Sequence, residues 1–300
     1  MNDAPQSTDY LSYIGLGLLI LCFGSTFYFN ALTLEALSPM ASGAARLIIA
    51  AVFLVPISII SGHGFPNSII LWKWAAVLGV TTLAVPFYLI VWAQKFIPSN
   101  VAALWFSSIP LLLLALSRLF LGTPISNRKW LGLLIGSMGL VLLASSGTSA
   151  KAGGGNHILP QLATLAACGM LASAAIIIRV MPKSSPIKIN AGAILVAALV
   201  SLPVAVVEIP VETIPPRAAI GLLGVGIIST AIGQLLRVIL IRRRGPIFLT
   251  PVGYLAAMVG AIMGITLLGE ELTTGAVIAF VVILAGLIIA QDGTGRMSRL

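Results

Sequence analysis

Residues Ser38–Pro56, SPMASGAARLIIAAVFLVP, return 147 positions later as Ser185–Pro203, SPIKINAGAILVAALVSLP. Register is kept by the opening Ser-Pro, a small residue (Ala44, Ala191), an Ala-Ala pair (Ala50-Ala51, Ala197-Ala198) and the closing proline. A second block repeats at the same offset. Leu121-Gly122 and Ile125-Ser126 match Leu268-Gly269 and Leu272-Thr273, and Gly139-Leu140 matches Gly286-Leu287. Two blocks at one offset point to a duplicated half, and such a repeat dictates the architecture of the whole chain.

Each half is built from long apolar runs. A bilayer core takes about 20 apolar residues of helix. Ten stretches qualify, at 11–33, 38–61, 71–95, 98–121, 128–146, 158–181, 186–208, 217–241, 245–269 and 272–291. Only 8% of the 300 residues are charged, against about 25% in a soluble domain. That is too little charge to cover a water-facing surface. The expected fold class is therefore all-α integral membrane: ten transmembrane helices forming two five-helix repeats, residues 1–146 and 158–300. The Gly-rich stretch 147–157 joins them outside the cell. The start, MNDAPQSTDY, has no basic n-region of a signal peptide, so the run from Leu11 is expected to stay as a first span.

Five spans per repeat is an odd number, so the second half enters the membrane from the opposite side. Inverted repeats of this kind mark transporters, with the binding site near midplane between the halves. The net charge of +9 would point to nucleic acid in a soluble protein. Here the basic residues cluster at span ends. With the N-terminus inside, 13 Lys and Arg fall on the cytoplasmic side and three (Lys95, Lys151, Arg217) outside. The bias places both termini in the cytoplasm and leaves no reason to expect a nucleic-acid partner.

Certain residues then resemble a known family. Span 1 carries Phe23-Gly24-Ser25-Thr26-Phe27. Leu37-Ser38-Pro39 follows, with Arg46 inside span 2. Gly245-Pro246, Leu268-Gly269-Glu270, Leu272 and Gly286 mark spans 9 and 10. The chain resembles EamA-type transporters of the drug/metabolite transporter superfamily over nearly its whole length, and within them bacterial inner-membrane exporters of aromatic and other amino acids. The resemblance implies a ten-helix basket with spans 1, 3, 4, 6, 8 and 9 around a central cavity, spans 5 and 10 outside, and alternating access. Where the family often has Gly-Glu after span 4, this chain has Gly122-Thr123.

Ionisable residues at membrane depth are functional suspects, because a central charge costs about 2.5–3.5 kcal/mol on the insertion scale. The carboxylates lie in tails or beside outer loops, and His63 and His157 lie in loops. No carboxylate is placed to carry a proton, which points to an uncoupled facilitator. No cluster of His, Asp or Glu offers a metal site or a catalytic pair. Hence no enzyme activity, catalytic residue, metal or cofactor is expected. Cys22 and Cys168 lie in apolar runs, without ligand spacing. A channel would need an oligomeric pore with charged rings or filter loops, whereas the repeat within one chain favours a carrier.

Helical faces supply the substrate-binding candidates. Thr81, Tyr88 and Trp92 share a face of span 3. Thr250, Tyr254 and Met258 share one on span 9, and Thr230 and Gln234 one on span 8. Span 4 adds Asn100, Ala103, Ser107 and Pro110, and span 1 adds Thr26 and Asn30. The substrate set drawn from these is Asn30, Tyr88, Trp92, Asn100, Ser107, Gln234, Tyr254 and Met258. Rings, amides and hydroxyls together would hold a zwitterion with an aromatic or aliphatic side chain. Other metabolites or drugs of the same superfamily (nucleobases, sugars, organic cations) are the alternative cargo. Pro86 and Pro110 lie mid-span and are the expected hinges, while Pro56 and Pro203 hold matching structural positions. Arg46 is expected to snorkel or bond interhelical carbonyls, Arg237 to serve topology, and Glu270 and Glu271 to complement the dipole of span 10. The expected partners are a small-molecule substrate and the lipid bilayer. A single chain suffices, and glycine seams such as Gly132/Gly136 leave room for a dimer.

Overall fold

The apolar runs fold as helices because lipid offers no partner to a backbone N–H or C=O, and a helix satisfies both within itself. The computed structural model describes residues 7–145, 158–209, 213–249 and 251–291, and no strand occurs among them. The expected linker 147–157, Thr250, Lys151, and the basic residues Arg296 and Arg299 lie outside the described residues.

Among the described residues, eight helices are long and apolar enough to cross a membrane: α1 (Tyr10–Thr33), α2 (Pro39–Ile60), α3 (Ile69–Gln94), α4 (Ser99–Leu121), α5 (Asn127–Ser145), α6 (Ile158–Val180), α7 (Pro186–Glu208) and α8 (Pro216–Arg244). Two shorter apolar helices follow, α9 (Val252–Leu268) and α10 (Thr274–Gln291). The ninth run was expected from residue 245. Its helix begins later because Pro246 opens a separate 3-10 turn, Pro246–Leu249, and Pro251 stands at the N-cap of α9. Proline lacks the N–H that would carry one helix through. At 1.5 Å per residue the 17 residues of α9 rise about 25 Å, the lower limit for a span.

The repeated Ser-Pro is a helix start. Ser38 Oγ accepts from Ala41 N at 3.0 Å, and Pro39 occupies the first turn, where its missing N–H costs nothing. Ser38 Oγ also donates to Glu208 Oε2 at 2.7 Å, tying the start of α2 to the end of α7.

Two of the described helices turn π-helical midway. α3 is π-helical over Gly79–Ala84 and α8 over Gly224–Ile232. Shifted by 147 residues, the first falls inside the second. Glycine permits close approach at both: a Cβ at Gly79 would run into Ala193 O of α7, and one at Gly226 would meet Ile49 of α2 at 2.6 Å. π-turns inside α-helices concentrate at functional sites.

The pairing of helices exchanges between the halves. α1 packs on α9 and α8, as α6 packs on α4 and α3; α2 meets α8 as α7 meets α3. α2–α7, α4–α9 and α5–α10 join helices that correspond at the 147-residue offset. The glycine seam of α5 is filled within the chain, by Gly286 and Ala290 of α10.

Candidate functional site

Two spaces that share lining residues lie within the bundle. The inner one, about 200 Å³, lies among α1, α2, α3, α4, α6, α8 and α9. The wider one, about 470 Å³, lies beside the α6–α7 turn and carries Arg179 and Lys183 at its edge. Gln234 and Arg237 of α8 line both, so they stand between the two spaces. α5 and α10 line neither. The six helices expected around the cavity all contribute, and α2 joins them through one residue, Arg46.

The inner walls are mostly apolar: Leu19, Phe23, Phe87, Ile90, Phe106, Ile109, Leu171, Leu249 and Val252. Their polar groups are Thr26, Ser229, Gln234, Arg46 and Arg237. Among the described residues, no acidic side chain lines either space.

Arg46 is only 3% exposed. The π-turn of α8 decides how it is held. Thr230 Oγ1 donates to Val225 O, five residues back, at 2.7 Å. The same oxygen accepts from Arg46 Nε at 2.8 Å. The guanidinium carbon lies 3.8 Å from the centroid of the Phe87 ring, a cation–π contact worth up to about 2 kcal/mol when desolvated. Arg46 Nη1 is buried without a hydrogen-bond partner. Arg46 therefore neither snorkels nor satisfies itself on backbone carbonyls. Arg237 Nη1 lies 3.5 Å from Gln234 Oε1, the acceptor in that pair. Thr230→Val keeps the shape but takes away the acceptor, leaving Arg46 Nε buried and unbonded at a cost of about 1–3 kcal/mol. Transport is expected to fall about tenfold, with the purified protein still monodisperse. Unchanged flux in vesicles would show that the hydroxyl does not position Arg46.

The far end of the cavity is sealed. Phe27 and Phe106 meet edge to face, centroids 4.7 Å apart. Behind them lies a polar knot with Asn30, Gln94 and Ser99 all fully buried. Gln94 Nε2 donates to Phe27 O (2.9 Å) and Ser99 Oγ (3.1 Å), and Asn30 Nδ2 donates to Gln94 Oε1 (2.8 Å). Glu270 completes the seal. Its two oxygens accept from Ser99 N (2.7 Å) and Asn100 N (2.8 Å), capping the first turn of α4. Asn100 Nδ2 donates to Glu271 O at 3.1 Å. Glu270 was expected to serve the helix that follows it. It serves one 170 residues away, since the turn after α9 ends against the start of α4.

The expected substrate residues divide by place. Gln234 lines the cavity. Asn30 and Asn100 sit in the seal. Tyr88 packs its ring over Gly43 of α2, where a Cβ would meet it at 2.5 Å. Trp92 leans on Phe96, centroids 5.1 Å apart. Ser107 Oγ donates to Leu104 O of its own helix. Tyr254 is partly buried and lines neither space, and Met258 points away from the bundle, 39% exposed. The expected hinges sit at changes of winding: Pro86 two residues beyond the π-turn of α3, and Pro110 just after the 3-10 turn Phe106–Ser108. The face counts on the spans did not single out Phe23, Phe87, Phe106 and Ser229. Apolar aromatics look alike in sequence whether they face lipid or a cavity, and only Gly224 and Gly226 marked where α8 changes its winding.

Against known proteins, the family model described as the EamA-like transporter family matches residues 11–145 and 159–290. The chain is 28% identical over 281 residues to the inner membrane transporter YedA of Escherichia coli (strain K12), covering 92% of this chain and 89% of that protein. It is 24% identical over 275 residues to the protein PecM of Dickeya dadantii (strain 3937), covering 90% and 89%. A crystal structure of a protein 19% identical in sequence superposes with a TM-score of 0.62, covering 94% of this chain and 96% of that one. At that identity the superposition speaks for the fold alone.

Proposed function

The chain belongs to the EamA-like transporter family, and from that premise we propose that it exports small metabolites, amino acids with aromatic or hydrophobic side chains, by alternating access as an uncoupled facilitator. The observation that carries the reading is a cavity walled by rings and aliphatic groups, open at one end and sealed at the other. Such walls stack a ring or alkyl side chain, and a few polar groups set its orientation.

Helix pairing that exchanges at the 147-residue offset supports reading residues 1–146 and 158–300 as inverted repeats joined by 147–157. That the family model matches in two segments, 11–145 and 159–290, supports the same reading. Basic residues line the mouth, and the positive-inside bias makes this the cytoplasmic end, with both termini on the same side. The molecule is then inward-open and ready to load from the cytoplasm of a cell with this protein in its inner membrane. Pro86 and Pro110, at the changes of winding, are the flex points of the reverse state. One chain encloses the whole cavity, so the monomer is the transporting unit.

Uptake into proteoliposomes tests the reading. Labelled Phe, Trp, Leu, Thr, Lys and Glu are offered with and without a pH gradient. Saturable flux of Phe or Trp, unchanged by the gradient, is expected. Lumenal acidification or alkalinisation in step with substrate would refute the uncoupled mechanism. Flux of none of the six would retire amino acids as cargo.

A further inference from the structure

Arg46 is a buried cation with an unused donor. Its side chain is more than nine-tenths buried, Nε is held by Thr230, one face lies on Phe87, and Nη1 has no partner. A guanidinium taken out of water without an anion is costly, and membrane proteins keep such groups where they meet a substrate or a counter-charge. No counter-charge is present among the residues lining the cavity. A second guanidinium, Arg237, stands between this cavity and the mouth. The space carries two positive charges, with only hydroxyls and one side-chain amide otherwise polar.

We propose that Arg46 is the carboxylate-binding residue of this cavity, and that its cargo is an organic acid with an apolar tail. The inference rests on reading the cavity as the substrate site. A carboxylate takes two N–H groups of one guanidinium side by side. The guanidinium lines the cavity with Nη1 left without a partner, while Phe87 and Thr230 fix its plane. The tail lies against Phe23, Phe106 and Ile109. Arg237 meets the carboxylate first on its way in, and Arg46 receives it at depth. An ammonium group finds no anionic partner in this cavity and faces two like charges. The cavity therefore demands the carboxylate and only tolerates an α-amino group. This goes beyond an amino-acid carrier: the same ring without the amine binds at least as well, and the same ring without the acid does not bind.

The test holds the ring constant. Full-length protein in lipid nanodiscs is melted with 3-phenylpropanoate, L-phenylalanine, 2-phenylethylamine or L-phenylalaninamide, with butyrate and sodium chloride as further probes. Stabilisation by 3-phenylpropanoate at least equal to that by phenylalanine is expected, with none from the amine or the amide. Arg46→Gln is expected to weaken 3-phenylpropanoate binding about 30-fold. Arg46→Lys keeps the charge but not the paired donors, and is expected to lose about tenfold. Equal stabilisation by 2-phenylethylamine, equal stabilisation by chloride, or undiminished binding in Arg46→Gln would each overturn the proposal. The wild-type series decides the matter even where a variant does not fold. A protein that binds butyrate and 3-phenylpropanoate through Arg46 but carries no amino acid into liposomes would refute amino-acid cargo and uphold the carboxylate site.

Discussion

Glu270→Ala is expected to loosen the sealed end of the protein and, under the proposed alternating access, to shift it away from the inward-open state. The carboxylate accepts from two backbone N–H groups, Ser99 N and Asn100 N, at the start of α4. A helix N-terminus holds several orphan donors and a partial positive charge, so an anion there is doubly favoured. Each hydrogen bond to a charged group contributes about 1.5–3 kcal/mol. The site is only partly buried, so about 1.5–3 kcal/mol for the whole latch is the reasonable figure. That corresponds to roughly a 10- to 150-fold change in the ratio of the two states. Glu270→Gln keeps one acceptor and turns a donor toward the second N–H, so it is expected to lie between alanine and wild type. Hydrogen exchange reads the effect directly. The amides of Ser99 and Asn100 are expected to exchange much faster in Glu270→Ala, while those of α5 stay as they were. Wild-type protection at Ser99 and Asn100 in the alanine variant would show that the carboxylate does not hold this end closed.

The latch is also one-sided. At the 147-residue offset, Glu270 corresponds to Thr123 and Ser99 to Pro246. Threonine is too short and uncharged, and proline has no N–H to give. A carboxylate on two backbone N–H groups has no counterpart there, and on the inward-open reading the end that lacks it is the end that stands open. A missing Gly-Glu in the first half thus becomes a physical reason for the resting geometry.

The sequence carried the scaffold well and the site in part. Apolar runs reported helices because lipid leaves the backbone no other option. They did not report where α9 begins, since hydropathy is indifferent to the prolines at 246 and 251. Polar residues on span faces were legible as exceptional, but a face does not say what lies opposite. Asn30 and Asn100 are as polar as cavity residues should be, and they are spent joining α1, α3 and α4 to each other and to the turn after α9. Arg46 stood out as the one charge deep in α2. Its meaning depends on a π-turn in α8, 184 residues away in sequence, which orients Thr230. Winding changes of that kind leave only glycines behind in the sequence, and glycines have many uses.

Gly286→Leu tests the seam outside the cavity and is expected to be the most destabilising single change. α5 and α10 line no part of either space, yet their backbones touch. A Cβ at Gly286 would run into Gly136 N and lie 2.6 Å from Gly132 O, with Gly136 Cα at 2.7 Å. All three neighbours are backbone atoms of α5, so no side chain can swing aside. Overpacking that side chains absorb costs about 1–3 kcal/mol, and here the helices themselves must part, so more than 3 kcal/mol is the expected scale. Against a total stability of roughly 5–15 kcal/mol that is a large fraction. The melting temperature in nanodiscs is expected to fall by about 10 °C or more. Gly17→Leu is the matched control: also a glycine within an apolar helix, but exposed, with nothing within 4 Å of its Cβ, and it is expected to melt with wild type. Protein that survives the Gly286 change should bind its substrates with wild-type preference, because no cavity residue sits on either helix. A shift in preference without a loss of stability would mean that α5 and α10 take part in the transport cycle rather than bracing it.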